Sequence, residues 1–396
     1  MTYTFSDRMS GLKPSAIREI LKNSDPNMIT FAAGNPAAEA FPVEEMGRIS
    51  AEIFEKDAAF ALQYGVTEGY TPLRQAISKR LKEKFHIGTE NDELIIVSGG
   101  QQGIDLATKV LCNEGDVILS ENPAFIGALN TFRSYGAKLV PVDVLDDGMD
   151  LEQLEKELQT QEKVKMLYTI PSFQNPLGTC TTLEKRKAVY DLCVKYGCII
   201  LEDNPYGELR FEGEDIPTIK SMDTEGIVLY CGSMSKVMSA GIRVGFVCGP
   251  KQIVSKMVVG KQASDVHTNL FFQILIHRYM EQCDFDAHVQ SIRKLYKHKS
   301  SLMLDGIRKY FPKEVKYTTP EGGLFLWCTL PEGVDMLGFV QYAKERGVAI
   351  VPGIAFNVDD TAPSQCFRLN YSTPSDEQIE KGIQILGQAL QEYLAK

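Results

Sequence analysis

Residues 227–247 read IVLYCGSMSKVMSAGIRVGFV, two apolar runs separated by a short polar segment. The first run leads through Ser233 and Ser235 to Lys236, and Arg243 precedes the second run. Short apolar runs are typical of buried strands. A lysine between two such strands, with an arginine nearby, suits a Schiff-base amine beside an anion-binding site. By itself the pattern also fits a surface lysine, because most lysines are solvated.

Similar apolar runs recur between about residues 95 and 250 and alternate with amphipathic helical segments. The runs are Leu94–Val97, Val117–Leu119, Lys138–Val142, Met166–Ile170, Cys198–Leu201, Ile227–Tyr230 and Val244–Val247. Repeated strand-then-helix segments with continuously apolar strands predict an α/β fold whose mostly parallel, seven-stranded sheet is covered by helices. No helical segment separates the last two runs, so we expect one strand there to be antiparallel.

Beyond residue 250 this alternation stops. A long helical region extends to about residue 310, and shorter strand-like and helical segments follow it. These segments are Gly323–Leu330, Met336–Glu345, Val348–Val351, Phe367–Tyr371 and Ser375–Leu394. We expect a large domain at residues 49–285 and a smaller α+β domain at residues 286–396, to which the N-terminal residues 1–48 contribute.

The composition narrows the classes of function. The net charge of −10 and the lack of a basic run argue against a nucleic acid as partner. No apolar stretch approaches the roughly 20 residues of a membrane span, and the N-terminus lacks a secretory apolar segment, so we expect no membrane association. The nine cysteines lie mostly in apolar runs, as in a reduced cytoplasmic protein. Histidine and cysteine spacing predicts no metal site.

The residues that follow each apolar run are candidate site residues, because ligands of open α/β sheets bind beyond the carboxyl ends of the strands. Small residues at Ser98–Gln102 open a helical segment, and the free N–H groups at a helix N-terminus suit a phosphate. Phe125 has a face that can stack on a flat ring. Each feature also has a structural explanation, a tight turn in the first case and a core phenylalanine in the second.

Three later runs end in polar groups. Asn175 lies in a turn flanked by prolines, Asp203 and Tyr206 follow the next run, and Lys236 follows another. The carboxylate of Asp203 could cap a local turn or pair with a ring nitrogen. A phosphate cradle, an aromatic ring, an amide, an acid, a phenol and a buried lysine at one edge are together what pyridoxal phosphate requires. We therefore predict this cofactor.

With these motifs the chain resembles, over nearly its whole length, a fold-type I pyridoxal-phosphate aminotransferase of class I/II. The matching motifs are Tyr64-Gly65-x-x-Glu68-Gly69 with Pro72-Leu73-Arg74, Asn175-Pro176-x-Gly178, Asp203-x-x-Tyr206, Ser233-x-Ser235-Lys236, Arg243-x-Gly245 and Phe367-Arg368-Leu369. Within that group the chain is most similar to the 2-aminoadipate/kynurenine aminotransferase branch. The two motifs that indicate this branch are Ser15-x-Ile17-Arg18-Glu19-Ile20-Leu21 and Phe31-Ala32-x-Gly34-x-Pro36.

The resemblance implies a role for each matched residue toward the cofactor. Lys236 would form the Schiff base and move the proton between the substrate and the cofactor. Asp203 would keep the pyridine nitrogen protonated, and Asn175 and Tyr206 would hydrogen-bond its neighbouring oxygen, O3′. The residues implied to bind the phosphate or stack on the ring are Gly100, Gln101, Phe125, Ser233, Ser235 and Arg243.

The resemblance also implies how the substrates and a second subunit are bound. Arg368 would grip the α-carboxylate of an amino acid or a 2-oxo acid with its planar guanidinium group, beside Asn175 and Gly34. Tyr64 would reach the phosphate of a neighbouring subunit, which implies a homodimer. Two departures concern the pocket. Phe125 stands where a tyrosine is common, and Asn35 replaces an apolar residue, which leaves the side-chain preference open.

Two other functions compete with a cytoplasmic, homodimeric aminotransferase. A β-eliminating C–S lyase would use the same cofactor residues, but it would release pyruvate and ammonia without an acceptor 2-oxo acid. An aminotransferase-like domain of a transcription regulator would need a DNA-binding module ahead of the fold. The family-like segment begins by about Ser15, and the net charge of −10 also disfavours this alternative.

A prediction about substrate preference concerns Arg18. In the similar branch this region packs over the substrate pocket, although a solvated helix arginine is the alternative. An Arg18 that pairs with a second carboxylate and turns away from apolar side chains would allow acidic, aromatic and aliphatic donors. Arg18→Ala should then lower kcat/KM for glutamate and 2-aminoadipate far more than for leucine or phenylalanine. Equal losses for both classes would place Arg18 on the surface.

Overall fold

The computed structural model of the chain describes residues 3–10, 12 and 28–395. The prediction for Arg18 lies outside these residues, and so does the whole 15–21 motif. None of the helices within the described ranges combines the length and the apolar composition needed to cross a membrane.

The structure has helices and strands throughout the described residues. The strands are β1 (Ile29–Thr30), β2 (Asp92–Val97), β3 (Val117–Asn122), β4 (Lys138–Leu145), β5 (Gly148–Met149), β6 (Val164–Thr169), β7 (Ile199–Asp203), β8 (Val228–Ser233), β9 (Gly245–Pro250), β10 (Lys316–Tyr317), β11 (Phe325–Thr329), β12 (Val348–Ala349), β13 (Val351–Pro352) and β14 (Cys366–Asn370). The α-helices are α1 (Asp7–Ser10), α2 (Val43–Lys56), α3 (Ala58–Ala61), α4 (Thr71–Phe85), α5 (Gly100–Leu111), α6 (Ile126–Ser134), α7 (Leu151–Thr160), α8 (Leu183–Tyr196), α9 (Lys251–Gln262), α10 (Leu270–Gln282), α11 (Phe285–Tyr310), α12 (Met336–Glu345) and α13 (Asp376–Leu394). Short 3-10 helices cover Ala38–Ala40, Gly207–Leu209, Lys220–Met222 and Gly353–Phe356.

The large sheet confirms the predicted α/β architecture. Its strand order is β2-β9-β8-β7-β6-β3-β4-β5. Strands β8, β7, β6, β3 and β4 pair in parallel, whereas β9 is antiparallel to both β8 and β2. The antiparallel strand therefore lies where it is predicted, after the two apolar runs that no helical segment separates. The two-residue strand β5 pairs with β4 and adds an eighth strand to the predicted seven. The sequence does not predict β5 because it is too short to form an apolar run.

The parallel strands are apolar on both faces because two separate cores flank the sheet. Leu167 and Ile200 pack with residues of α7 and α8 on one side. Met166, Tyr168 and Leu201 belong to the main core on the other side, which includes residues of α5 and α6. Successive side chains of a strand point to opposite faces, so each apolar run supplies both cores. This arrangement explains why the runs show no polar alternation.

The helical region after residue 250 consists of three helices rather than one. The side chain of Asn269 accepts a hydrogen bond from the backbone N–H of Phe272 at the start of α10. Asp284 does the same for Ala287 at the start of α11. Such capping residues satisfy N–H groups that have no partner within the helix, so each cap begins a new helix.

A second sheet lies in the C-terminal part of the chain, with the antiparallel order β10-β11-β14-β13. Helix α13 packs along α11 and also contacts β12. The N-terminal strand β1 pairs in parallel with β12, and Asn370 donates its backbone N–H to the carbonyl of Phe31 over 2.9 Å. The segment after β1 is thus held against the end of β14. The domain boundaries at residues 48 and 285 stay a prediction.

Lys220 is a buried cation whose removal tests the stability of the sheet edge. Its Nζ atom donates to Asp92 Oδ1 over 2.7 Å and to Asp223 Oδ2 over 2.8 Å, and all three side chains are buried. Lys220→Ala leaves two buried carboxylates without a cation, so we expect the free energy of unfolding to fall by about 3–5 kcal/mol. Urea denaturation measures this loss.

Lys195→Ala is the matched control for that experiment. It removes a lysine whose 2.7 Å pair with Glu155 lies on the surface. Exposed pairs contribute little because water screens both charges, so this variant should unfold nearly as the wild type does. Equal losses in the two variants would show that the buried position of Lys220 has no special importance.

Candidate active site

One cavity of about 470 Å³ lies at the carboxyl edge of the parallel strands. Most of the site residues predicted from the sequence line it, namely Gly34, Gly100, Gln101, Phe125, Asn175, Asp203, Tyr206, Ser233, Ser235, Lys236, Arg243 and Arg368. Tyr64 does not. Its side chain is 80% exposed on another part of the surface, beside His267. The edge rule for α/β sheets therefore locates the cavity, whereas the role of Tyr64 at the phosphate stays a prediction.

Lys236 lies in the connection between β8 and β9. Because β9 turns back, this connection stays at the carboxyl edge, and Met234 donates its N–H to the Val244 carbonyl over 3.0 Å. The Lys236 Nζ atom donates to the Gly34 carbonyl over 2.7 Å. Burial, together with the positive charges of Arg368 and Arg243, lowers the pKa of Lys236 to about 8, against the opposing effect of Asp203. The amine is therefore partly neutral and nucleophilic near neutral pH.

Asp203 is the last residue of β7 and its side chain is buried. Its Oδ2 atom accepts a hydrogen bond from the Tyr168 hydroxyl over 2.8 Å. Burial raises the pKa of Asp203 to about 7, with a further increase from the charge of Glu121 and decreases from Tyr168 and Lys236. A buried carboxylate with this environment favours a cationic group beside it. The predicted partner, a protonated ring nitrogen, meets that requirement.

The start of α5 and the β8–β9 connection form a cradle of backbone and cationic groups. Gly99 has a φ of +81°, and a side chain there would collide with the Arg243 guanidinium group. A Cβ atom on Gly245 would lie 2.9 Å from the Gly100 nitrogen. Arg243 in turn donates to Ser235 Oγ over 3.3 Å. A helix N-terminus kept accessible by glycines, with a guanidinium group beside it, fits a phosphate.

Gln101 and Phe125 lie on the wall next to this cradle. The Gln101 Nε2 atom donates to the Gly127 carbonyl over 3.0 Å and to Thr131 Oγ1 over 2.7 Å, so its amide nitrogen is bound to α6. Any anion contact from Gln101 would therefore come from its backbone N–H. Phe125 precedes α6 and packs partly buried against the main core, which leaves part of its ring on the cavity.

Arg368 on β14 is the buried cation at the other end of the cavity. It donates to Asn175 Oδ1 and to the Ala32 carbonyl, both over 2.8 Å, and its guanidinium carbon lies 4.2 Å from the centre of the Phe325 ring. Burial lowers the pKa of Arg368 to about 10. The Nε atom of Arg368 has no hydrogen-bond partner among the described residues. A carboxylate ligand would supply both the missing acceptor and the missing charge.

Tyr206 completes the group between Asp203 and Arg368. Its side chain is buried, and its ring lies edge-on to Phe325 with 5.8 Å between the ring centres. Burial raises the pKa of the Tyr206 phenol, and the Asp203 charge raises it further, against decreases from Arg368 and from a hydrogen bond with Asn175. The phenol therefore stays neutral and can donate a hydrogen bond across the physiological pH range.

The sequence does not indicate the role of several polar groups that shape the site. Tyr168 lies inside an apolar run and has the pattern of a core residue. Glu121 accepts from Thr169 Oγ1 over 2.5 Å, from the Ile170 N–H over 3.1 Å and from Gln174 Nε2 over 3.0 Å. Gln174 also donates to the Pro123 carbonyl over 2.7 Å. The Asn175 turn and the loop before Phe125 are thus tied together. The one available signal is a glutamate two residues after the apolar run Val117–Leu119.

The carboxylates of Glu202 and Asp203 have different functions although they are neighbours. Glu202 accepts hydrogen bonds from the backbone N–H groups of Ile219 and Lys220, at 2.9 and 2.7 Å. It therefore holds a turn, whereas Asp203 lines the cavity. Of the two explanations that the sequence allows for a carboxylate after this run, the local turn applies to Glu202. The pairing of Asp203 with a ring nitrogen stays a prediction.

Comparison with known proteins agrees with this geometry. A family model described as aminotransferase class I and II matches residues 26–386. The aromatic-amino-acid aminotransferase 1 of Thermococcus litoralis is 41% identical over 397 residues, which cover 99% of this chain and 95% of that protein.

Two solved structures show the same similarity in three dimensions. A kynurenine aminotransferase of Pyrococcus horikoshii, in complex with PMP, has a TM-score of 0.94 at 39% identity and covers 98% of this chain and 97% of its own. LysN, an alpha-aminoadipate aminotransferase from Thermus thermophilus complexed with N-(5′-phosphopyridoxyl)-L-leucine, has a TM-score of 0.91 at 36% identity. It covers 99% of this chain and 98% of its own.

The depressed pKa of Lys236 predicts selective chemistry at its amine. At about pH 7.5 roughly a quarter of an amine with a pKa near 8 is neutral, whereas an unperturbed lysine is neutral only to about 0.1%. Reductive methylation of the cofactor-free protein with formaldehyde and cyanoborohydride should therefore modify Lys236 first, as mass spectrometry of its peptides would show. The rate at Lys236 should rise with pH, reach half of its maximum near pH 8 and level off above about pH 9.

Lys195 provides the internal comparison. It is exposed, and its hydrogen bond to Glu155 raises the pKa of its amine. Its methylation should keep increasing at a pH where that of Lys236 no longer changes. A Lys236 profile that follows the Lys195 profile would show that the cavity does not lower the pKa.

Proposed function

The chain belongs to the class I and II aminotransferase family, and from that premise we propose that it transfers the amino group of acidic, aromatic and large aliphatic L-amino acids to a 2-oxo acid. The chain is a pyridoxal-phosphate-dependent transaminase. The proposed substrate range is supported by relatives named for aromatic amino acids, kynurenine and alpha-aminoadipate. The observation that carries the proposal is the single cavity shared by Lys236, Asp203 and Arg368.

The residues of this cavity fit the cofactor at each of its polar groups. Lys236 would hold its aldehyde carbon, Asp203 its ring nitrogen, and Asn175 with Tyr206 its ring oxygen. The cradle for its phosphate consists of Gly100, the Gln101 backbone, Ser233, Ser235 and Arg243, with the Phe125 face toward the ring. When bound, the cofactor supplies an electron sink for the bond that breaks at the substrate Cα.

Two residues of the chain act on the substrate itself. Arg368 binds the α-carboxylate, and its bonds to Asn175 and the Ala32 carbonyl fix the plane of the guanidinium group. The Lys236 Nζ atom then takes the proton from the substrate Cα, because its amine is partly neutral near pH 8. Arg368 receives both the amino acid and the 2-oxo acid, so one must leave before the other binds. A ping-pong order follows.

The assembly state and location belong to the same proposal. Tyr64 is exposed together with Phe60, Leu62 and Val66, all of them more than half exposed. Apolar side chains grouped on a surface favour burial by another chain. A homodimer would cover them and bring Tyr64 to the phosphate site of the partner. The nine cysteines are all free thiols, which supports a reducing compartment such as the cytoplasm.

A panel of amino donors with 2-oxoglutarate tests the function. Purified enzyme should convert 2-aminoadipate, phenylalanine and leucine to their 2-oxo acids, which mass spectrometry detects. Lys236→Ala should lower each rate by at least about a thousandfold, because it removes the group that transfers the proton. Pyruvate and ammonia formed from a β-substituted donor without any acceptor would instead identify a β-eliminating lyase and contradict the proposal.

A further inference from the structure

We propose that Tyr168 is a positioning residue that acts through Asp203, keeping the proton on the ring nitrogen of the cofactor rather than on the carboxyl group. The inference rests on the proposed role of Asp203 in the function above. It assigns a role to a side chain that lies behind the cavity and does not line it.

Tyr168 has a fixed position under Asp203. Tyr168 lies on β6 and pairs with Leu201 of β7. Leu201 precedes Asp203 by two residues on the same strand. The Tyr168 side chain has no exposed surface, and its ring stands edge-on to Phe132 at 5.3 Å between centres and 72° between planes. In this packing the hydroxyl group points at Asp203 Oδ2, 2.8 Å away.

The two oxygens of Asp203 have different surroundings. Oδ2 accepts the hydrogen bond from Tyr168. Oδ1 lies next to Gly100, since a Cβ atom built on that glycine would be 3.9 Å from it. Gly100 is part of the cavity wall, so Oδ1 is the oxygen available to a ligand. Tyr168 thus occupies the inner oxygen and fixes the rotation of the carboxylate.

The charges around Asp203 show why this donor matters. Burial and the negative charge of Glu121 favour a protonated carboxyl group, whereas Lys236 and the Tyr168 hydroxyl favour the ionised form. The Cys231 thiol, on the neighbouring strand, stays neutral because burial raises its pKa. A carboxylate paired with a pyridinium ion can take the shared proton and leave a neutral ring, which accepts electrons less well. The phenol opposes this transfer because it hydrogen-bonds the charged carboxylate.

Nitrogen-15 NMR of the holoenzyme, with cofactor labelled at the ring nitrogen, locates the proton. In Tyr168→Phe the chemical shift should move toward that of unprotonated pyridine. The equilibrium between the two proton positions should change by at least about tenfold, as expected for a hydrogen bond to a charged group. Replacing Tyr168 with 4-aminophenylalanine keeps the shape and a weaker donor, so its shift should be intermediate. This variant also serves if Tyr168→Phe does not fold.

Tyr230→Phe is the matched control. Tyr230 is a buried phenol on β8, and its hydrogen bond is to Asn204 rather than to Asp203. Its shift should equal that of the wild type. In Tyr168→Phe we also expect kcat to fall while KM for the amino acid is retained, because Arg368 does not contact Tyr168.

The possible outcomes separate this inference from the function on which it depends. If Asp203→Asn changes the nitrogen shift and Tyr168→Phe does not, Asp203 has its proposed role and the inference about Tyr168 is wrong. If neither variant changes the shift, the role of Asp203 fails as well. A rise in KM with an unchanged shift in Tyr168→Phe would mean that Tyr168 supports only the packing of the sheet.

Discussion

The burial of three charges in one cavity is the constraint on which the rest of the site depends. Within the described residues Asp203, Lys236 and Arg368 form no ion pair, and each is stabilised by neutral groups. These groups are the Tyr168 hydroxyl for Asp203, the Gly34 carbonyl for Lys236, and Asn175 with the Ala32 carbonyl for Arg368. Fixed dipoles orient an ionisable group without pairing it with an opposite charge, so each group stays available to a ligand.

The sequence predicts some parts of this site and not others. The apolar runs predict the strands, and the edge rule for α/β sheets collects most of the site residues in one cavity. The pattern fails for Tyr168, because a phenol inside an apolar run has the same pattern whether or not its hydroxyl group has a partner. The apolar pattern also does not show which of Glu202 and Asp203 faces the cavity. Adjacent side chains of a strand face opposite ways, and the sequence does not give the orientation of the strand. The contact of Asn175 with Arg368 joins the turn after β6 to β14, and the sequence indicates it only through the family resemblance.

The walls of the cavity differ in how firmly they are built. On one side the buried carboxylate of Glu121 and the amide of Gln174 fix two loops to each other. On the other side Asn35 is exposed, and the hydroxyl groups of Ser372 and Thr373 donate to its backbone carbonyl over 2.7 and 3.0 Å. Among the described residues no hydrogen bond holds its side chain. The Asn35 side chain can therefore change without disturbing a buried charge. Differences in substrate preference between related enzymes have room to arise at this rim, while the charged centre stays constant.

The hairpin of β8 and β9 makes the reactive amine and the anion site one inheritable unit. Because β9 returns antiparallel, Lys236 and Arg243 stay on a single uninterrupted segment, Val228–Pro250. A parallel β9 would have needed a long connection back to the opposite edge of the sheet, and this connection would separate the two residues along the chain. Recombination between homologous genes with crossover points outside residues 228–250 therefore exchanges both groups together, in register with each other. A crossover inside the segment joins an amine and an anion site that evolved in different partners.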